Sequence, residues 1–265
     1  MSKQLLTALF CSLLLSLALT PSAFAAETPS YPSIVGDDIT HVVTSPSRWD
    51  SGDWKFLGLA TATVVGVSAF ADRPVRDYMR QQTPDNTFLK QVENFGLSYA
   101  AGTMGAFYVY GALTDNEKSV HVAQDAIAAS MISAGINQTI KVLANRSRPR
   151  DNAGLSNFQG YSGLSNNSSF PSGHTTEAFT LAAVIAESYD ETWVSYTAYS
   201  IASLVGVARM YHDAHFASDV TASVFIGTLV GKSVVNYNRT LRSNKVAMMP
   251  EIAPGYVGMR IASNF

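Results

Sequence analysis

The chain has 265 residues, enough for one sizeable helical domain or two small ones. Its 18 Lys and Arg against 20 Asp and Glu leave a formal net charge of −2 with no long charged block, which excludes a nucleic-acid binder that relies on a basic excess. A single cysteine, Cys11, excludes an intramolecular disulfide framework.

In chain order, residues 1–25 read as an export leader. Lys3 gives a minimal positive start, residues 5–19 are almost entirely apolar, and Ala23-Phe24-Ala25 offers small residues for cleavage. An uncleaved first membrane helix is the alternative. Residues 26–54 are polar and contain Pro29, Pro32 and Pro46, so an irregular lead-in is expected there. Six weakly apolar stretches follow, at 56–71, 95–113, 120–144, 176–188, 193–210 and 220–237. Their lengths favour helices over strands. The expected fold is therefore all-α, a bundle of about six helices over residues 55–242. Residues 151–169, dense in Gly, Ser and Asn, are expected to form a loop. The tail at 243–265 changes character, with Pro250, Pro254 and Gly255 before an alternating pattern that suits a short strand at 256–265.

A membrane span needs ~20 mostly apolar residues. Residues 94–114 have that length without a charge, and 56–71 and 192–208 are charge-free but shorter. The remaining stretches carry Asp125, Asn137, Gln138, Glu177, Glu187 and Lys232, and ionisable groups are costly in lipid unless they face a polar interior. The mean hydropathy of +0.09 is low for a six-span protein. A soluble or membrane-associated bundle and a multi-pass protein both stand, and membrane association is the reading carried forward.

Three short segments hold the chemistry. Lys141 and Arg148 bracket the first, Lys141-Val-Leu-Ala-Asn-Arg-Ser-Arg148-Pro149. Pro149 pushes Arg148 toward extended geometry, so the helix is expected to end near Asn145 and both cations to reach one point from a helix end and a loop. A solvated basic helix end is the bland alternative. Arg146 and Arg150 are expected at the surface or rim. The second segment, Phe170-Pro171-Ser172-Gly173-His174, reads as a helix start, whose free N–H groups bind anions and whose glycine admits close approach. The third runs from Ala208-Arg209 through His212-Asp213 and His215 to Ser218-Asp219. His215 and Asp219, four apart, suit a carboxylate that accepts from one ring nitrogen and leaves the other available. Ser218 is expected to cap the helix that begins at Asp219. Arg209 adds a planar fork for phosphate oxygens. A metal site of His212, Asp213, His215 and Asp219 is set against this; a metal would not require three cations at the other segments. His212 is expected to support the site from behind, and His41 and His121 to be incidental.

The order and spacing of these segments resemble the signature of the type 2 phosphatidic acid phosphatase superfamily, which also contains bacterial acid phosphatases and vanadium haloperoxidases. The resemblance covers residues 141–219. It departs at Ala208, where many members carry Ser. It implies a phosphatase without cofactor or metal, in which His215 attacks phosphorus, Asp219 orients it and His174 serves as general acid and then base. Lys141, Arg148 and Arg209, with backbone N–H groups of Ser172 and Gly173, would bind the phosphoryl oxygens. The substrate is expected to be a lipid phosphate, an isoprenyl pyrophosphate or a soluble ester, met in the periplasm or at the inner membrane. The alternatives are a vanadate-dependent haloperoxidase and a non-catalytic helical membrane protein that binds anionic lipid. Phe158, Tyr161 and Phe170 are expected near the entrance, either against an acyl chain or as ordinary packing. Nothing in the sequence sets the oligomeric state.

Overall fold

Each of the six apolar stretches forms a helix, and three more bring the number to nine among the described residues. A computed structural model describes residues 31–82, 86–161, 168–243, 246–253 and 256–263, so the expected leader lies outside them. The helices are α1 (Tyr31–Val43), α2 (Ser51–Phe70), α3 (Asp72–Arg80), α4 (Thr87–Val92), α5 (Ser98–Thr114), α6 (Glu117–Ala144), α7 (Gly173–Ser188), α8 (Thr192–Tyr211) and α9 (Ala217–Ser243). The expectation of about six therefore falls short by α1, α3 and α4, which are too short or too polar to appear as apolar runs. α1 also corrects the irregular lead-in. Pro32 lies in its first turn, where a missing N–H breaks no helical bond.

Local chemistry fixes the ends. Asp50 accepts from Gly52 N and Asp53 N, and Asp53 returns a bond to Asp50 N, so α2 opens on a reciprocal cap. Asn116 caps α6. The same helix stops at Asn145, whose left-handed φ of 42° lets its N–H close on Lys141 O. The tail forms an antiparallel hairpin, β1 (Val246–Ala253) with β2 (Tyr256–Ser263); the alternating pattern marks β2.

α7 is the central helix, buried from Thr175 through Val184 except at Glu177, and it packs against α6, α8 and α9. Its approach to α9 is close. A Cβ on Gly227 would lie 2.5 Å from Thr176 O, and one on Gly231 would lie 2.7 Å from Ala183 Cβ. Small residues at this seam let the two backbones touch. Val122, Ala126, Ala129 and Ile132 of α6 pack with Leu181, Val184, Val230 and Val234, while Phe179 and Ala182 pack with Ala202 and Val205 of α8. By contrast, α2 buries only Ala60 and leaves Trp54, Phe56, Leu59, Val65 and Phe70 exposed. Among the described residues α9 is the one single helix long and apolar enough to cross a membrane, and half of its apolar window is buried within the protein.

Candidate active site

The three segments meet where α6 ends, α7 begins and the α8–α9 connection passes. α6 delivers Lys141, whose Nζ donates to Ser168 O at 2.8 Å. Arg148 follows in extended geometry (φ −77°, ψ 155°), as Pro149 requires. Ser172 caps α7: its Oγ accepts from Thr175 N, and the next two residues are Gly173 and His174. A Cβ on Gly173 would lie 4.0 Å from Lys141 Cε, so the open helix start and the ammonium stem adjoin. Ser172 itself is wholly buried and its N–H reaches Asp219 O at 3.4 Å. It is thus tied into the protein, and Gly173 presents the helix end.

His215 is buried, and its Nδ1 lies 2.7 Å from Ser169 O. A carbonyl can only accept, so Nδ1 carries the hydrogen and Nε2 the lone pair. Asp219 Oδ2 stands farther off, 3.8 Å from the same nitrogen. The expected His–Asp pairing is therefore indirect: a backbone carbonyl fixes the tautomer, and the carboxylate acts through charge. Burial pulls His215 down to about 4, against the upward pull of Asp219. Burial, reinforced by Arg209, Arg148 and Lys141, pulls His174 down to about 4 as well, while Glu93 opposes the shift. Lys141 falls to about 8, through burial and the neighbouring charges of Arg148 and Arg209. Lys141 and Arg209 thus act on both imidazoles, and Arg148 acts on His174.

Sequence reasoning missed several residues here. Arg146, expected at the surface or rim, is instead wholly buried. Its Nη1 donates to Asp219 Oδ1 at 2.5 Å and to Ser218 Oγ at 2.8 Å, and its Nη2 donates to Asp72 Oδ2 at 2.7 Å. The guanidinium also lies 4.1 Å over the Phe216 ring. Removing one partner of such a buried ionic group costs about 3–5 kcal/mol, because the other charge is left uncompensated. Asp72 and Ser169 complete the network. The Ser169 hydroxyl donates to Asp219 Oδ2, which also accepts from Phe216 N at 2.7 Å. Ser218 lies inside the first turn of α9 and does not cap it; its N–H goes to Asp72 Oδ1 at 2.8 Å. Arg150 is exposed, as expected of a rim residue.

Glu93 is the other missed residue. It accepts from Arg209 Nη1 at 2.7 Å and from His212 Nδ1 at 2.8 Å. Burial raises its carboxyl, but His212 and Arg209 more than reverse this and hold it below the usual carboxylate range. Gly96, in the same short turn, lies so close to His174 that a Cβ would stand 2.6 Å from its carbonyl oxygen. Arg209 Nε is buried without a hydrogen-bond partner among the described residues. His212 and Asp213, weighed as metal ligands, are engaged separately by Glu93 and Arg80. Among the described residues no group of three His, Cys, Asp or Glu side chains is arranged to hold a metal ion. Phe158 and Tyr161 are exposed near this face, and Phe158 packs edge-on against Phe170.

The described fold is all-α, of the type found in phosphatidic acid phosphatases and haloperoxidases. Residues 123–243 match the model of the PAP2 superfamily, somewhat less than half of the chain. A 66-residue segment is 39% identical to the lipid A 1-phosphatase of Porphyromonas gingivalis, covering 24% of this chain and 15% of that protein. The chain thus spans a small part of that relative's length. Among solved structures it is similar to Aquifex aeolicus LpxE, at 24% identity over 62% of this chain and 94% of that one, with a TM-score of 0.49. It is also similar to a PAP2-type phosphatidylglycerolphosphate phosphatase from Bacillus subtilis, at 16% identity over 81% and 98%, with a TM-score of 0.43.

Proposed function

We propose that the chain is a metal-independent phosphatase acting on phosphate esters, with membrane lipid phosphates as its substrate class. The observation that carries this reading is the state of His215. Its Nδ1–H is committed to Ser169 O, so a neutral imidazole keeps its lone pair on Nε2, among cations suited to a phosphoryl group. Nε2 attacks phosphorus as the bond to the ester oxygen breaks, and His174 gives that oxygen its proton. Water then attacks the phosphohistidine, His174 takes the proton, and inorganic phosphate leaves. Lys141, Arg148 and Arg209 hold the equatorial oxygens with the Gly173 N–H, neutralising charge that a divalent ion neutralises in other phosphoryl-transfer enzymes. The unpartnered Arg209 Nε suits a phosphoryl oxygen. Asp219 balances the cation that forms on His215.

The lipid class draws support from the exposed apolar residues of α2 and from the match to a lipid A phosphatase. The same reading assigns residues 1–25 to export, 55–242 to the catalytic domain and the site to the periplasmic side. Full-length protein in detergent with chelator is expected to release phosphate from phosphatidic acid micelles and to trap labelled phosphate on His215. The His215→Ala variant is expected to do neither. Undiminished turnover by that variant refutes the assignment, and halide oxidation in the presence of vanadate moves the chain to the haloperoxidase branch.

A further inference from the structure

Helix α3 lies outside residues 123–243, yet both of its ends reach the site. Its first residue, Asp72, accepts from Ser218 N at 2.8 Å, Ser218 Oγ at 2.7 Å and Arg146 Nη2 at 2.7 Å. Its last residue, Arg80, donates to both oxygens of Asp213 at 2.8–3.1 Å and to Pro149 O at 2.7 Å. Asp213 and Ser218 flank His215, and Pro149 follows Arg148. The helix therefore grips the nucleophile segment on both sides and the chain beside a phosphate-binding arginine. Asp72 is also the only buried residue of α3. A helix whose single buried side chain is a carboxylate contributes little apolar packing.

The charges are matched to the chemistry. Asp72 and Asp219 share one guanidinium, so the group carries a formal charge of −1 beside an imidazole that becomes cationic on phosphorylation. Without Asp72, the full charge of Arg146 would fall on Asp219 and weaken its hold on that cation.

We propose that α3 is a brace for the catalytic centre, with Asp72, Arg146 and Arg80 as positioning residues that set where His215 and Arg148 stand. The proposal rests on the phosphatase reading. It predicts a split between two inhibitors: orthovanadate must bond to His215 Nε2, whereas inorganic phosphate needs only the cations.

The test compares wild type, Asp72→Asn and Arg80→Gln as full-length proteins in detergent, with para-nitrophenyl phosphate as substrate. For Asp72→Asn, kcat is expected to fall about 10- to 100-fold and vanadate inhibition to weaken in proportion, with phosphate inhibition within about twofold of wild type. For Arg80→Gln, whose ion pair is partly exposed and contributes little stability, kcat/KM is expected to fall about 3- to 10-fold. If Asp72→Asn does not fold, Arg80→Gln decides alone. Wild-type turnover in Arg80→Gln, or equal weakening of both inhibitors in Asp72→Asn, overturns the brace while leaving the phosphatase reading intact. A wild type inactive on both this ester and phosphatidic acid micelles overturns both.

Discussion

At the scale of single residues, the central tension is that burial and neighbouring cations pull His174 down to about 4, yet a general acid must carry a proton. Part of the depression comes from Arg209, Arg148 and Lys141, the groups expected to meet the phosphoryl oxygens. An anion seated among them cancels their field and raises the proton affinity of His174. Binding and protonation are therefore coupled with a definite sign: protons are taken up when an anion binds, at pH values above about 4. Sulfate, which stays a dianion there, isolates the effect. Calorimetry at about pH 6 in buffers of different ionisation enthalpy is expected to show proton uptake on sulfate binding, and His174→Ala is expected to abolish it. Binding without uptake would remove His174 from the acid role. The residues with recognisable spacing, Lys141, Arg148, His174, Arg209, His215 and Asp219, were legible in the sequence because chemistry restricts their type. Arg146 was not, since its guanidinium looks the same in a list of residues whether it meets water or Asp72 and Asp219.

Among the elements, α7 and α9 carry the site's geometry, because Gly173 and His174 begin one and Ser218 and Asp219 lie in the first turn of the other. Their separation is set by Gly227 and Gly231, where any side chain meets the opposing backbone. Gly231→Ala is expected to cost about 1–3 kcal/mol through overpacking, read as a lower unfolding midpoint in detergent. An unchanged midpoint would mean the seam is looser than it stands here. Helix ends were readable from local chemistry: Asn145 stops α6 and Ser172 starts α7 as expected. The existence of α1, α3 and α4 was not, since each is polar or short and is held by contacts distant in sequence, such as Asn238 to Asp38 and Ser218 to Asp72.

For the whole molecule, the balance of apolar surface is the governing feature. α7 is almost entirely enclosed, while α2 presents aromatic and aliphatic side chains outward from Trp54 to Phe70. An exposed apolar helix surface of that kind costs free energy in water and is relieved in lipid. The chain is expected to sediment with membranes after high-salt washing and to enter the supernatant on adding detergent. Recovery in the salt wash would set aside an apolar association.

The sequence alone determined the helical class, the three signature segments and the inventory of cations and imidazoles, because these depend on residue type, local spacing and short-range helix chemistry. Only the tertiary structure decided that His215 gives its Nδ1–H to a backbone carbonyl, that Arg146 is an interior ion bound to two carboxylates, and that α3 holds both sides of the nucleophile. The physical reason is burial. Whether a charged side chain is a solvated ornament or a fixed part of a site depends on the water removed around it, and that is settled by segments far apart along the chain.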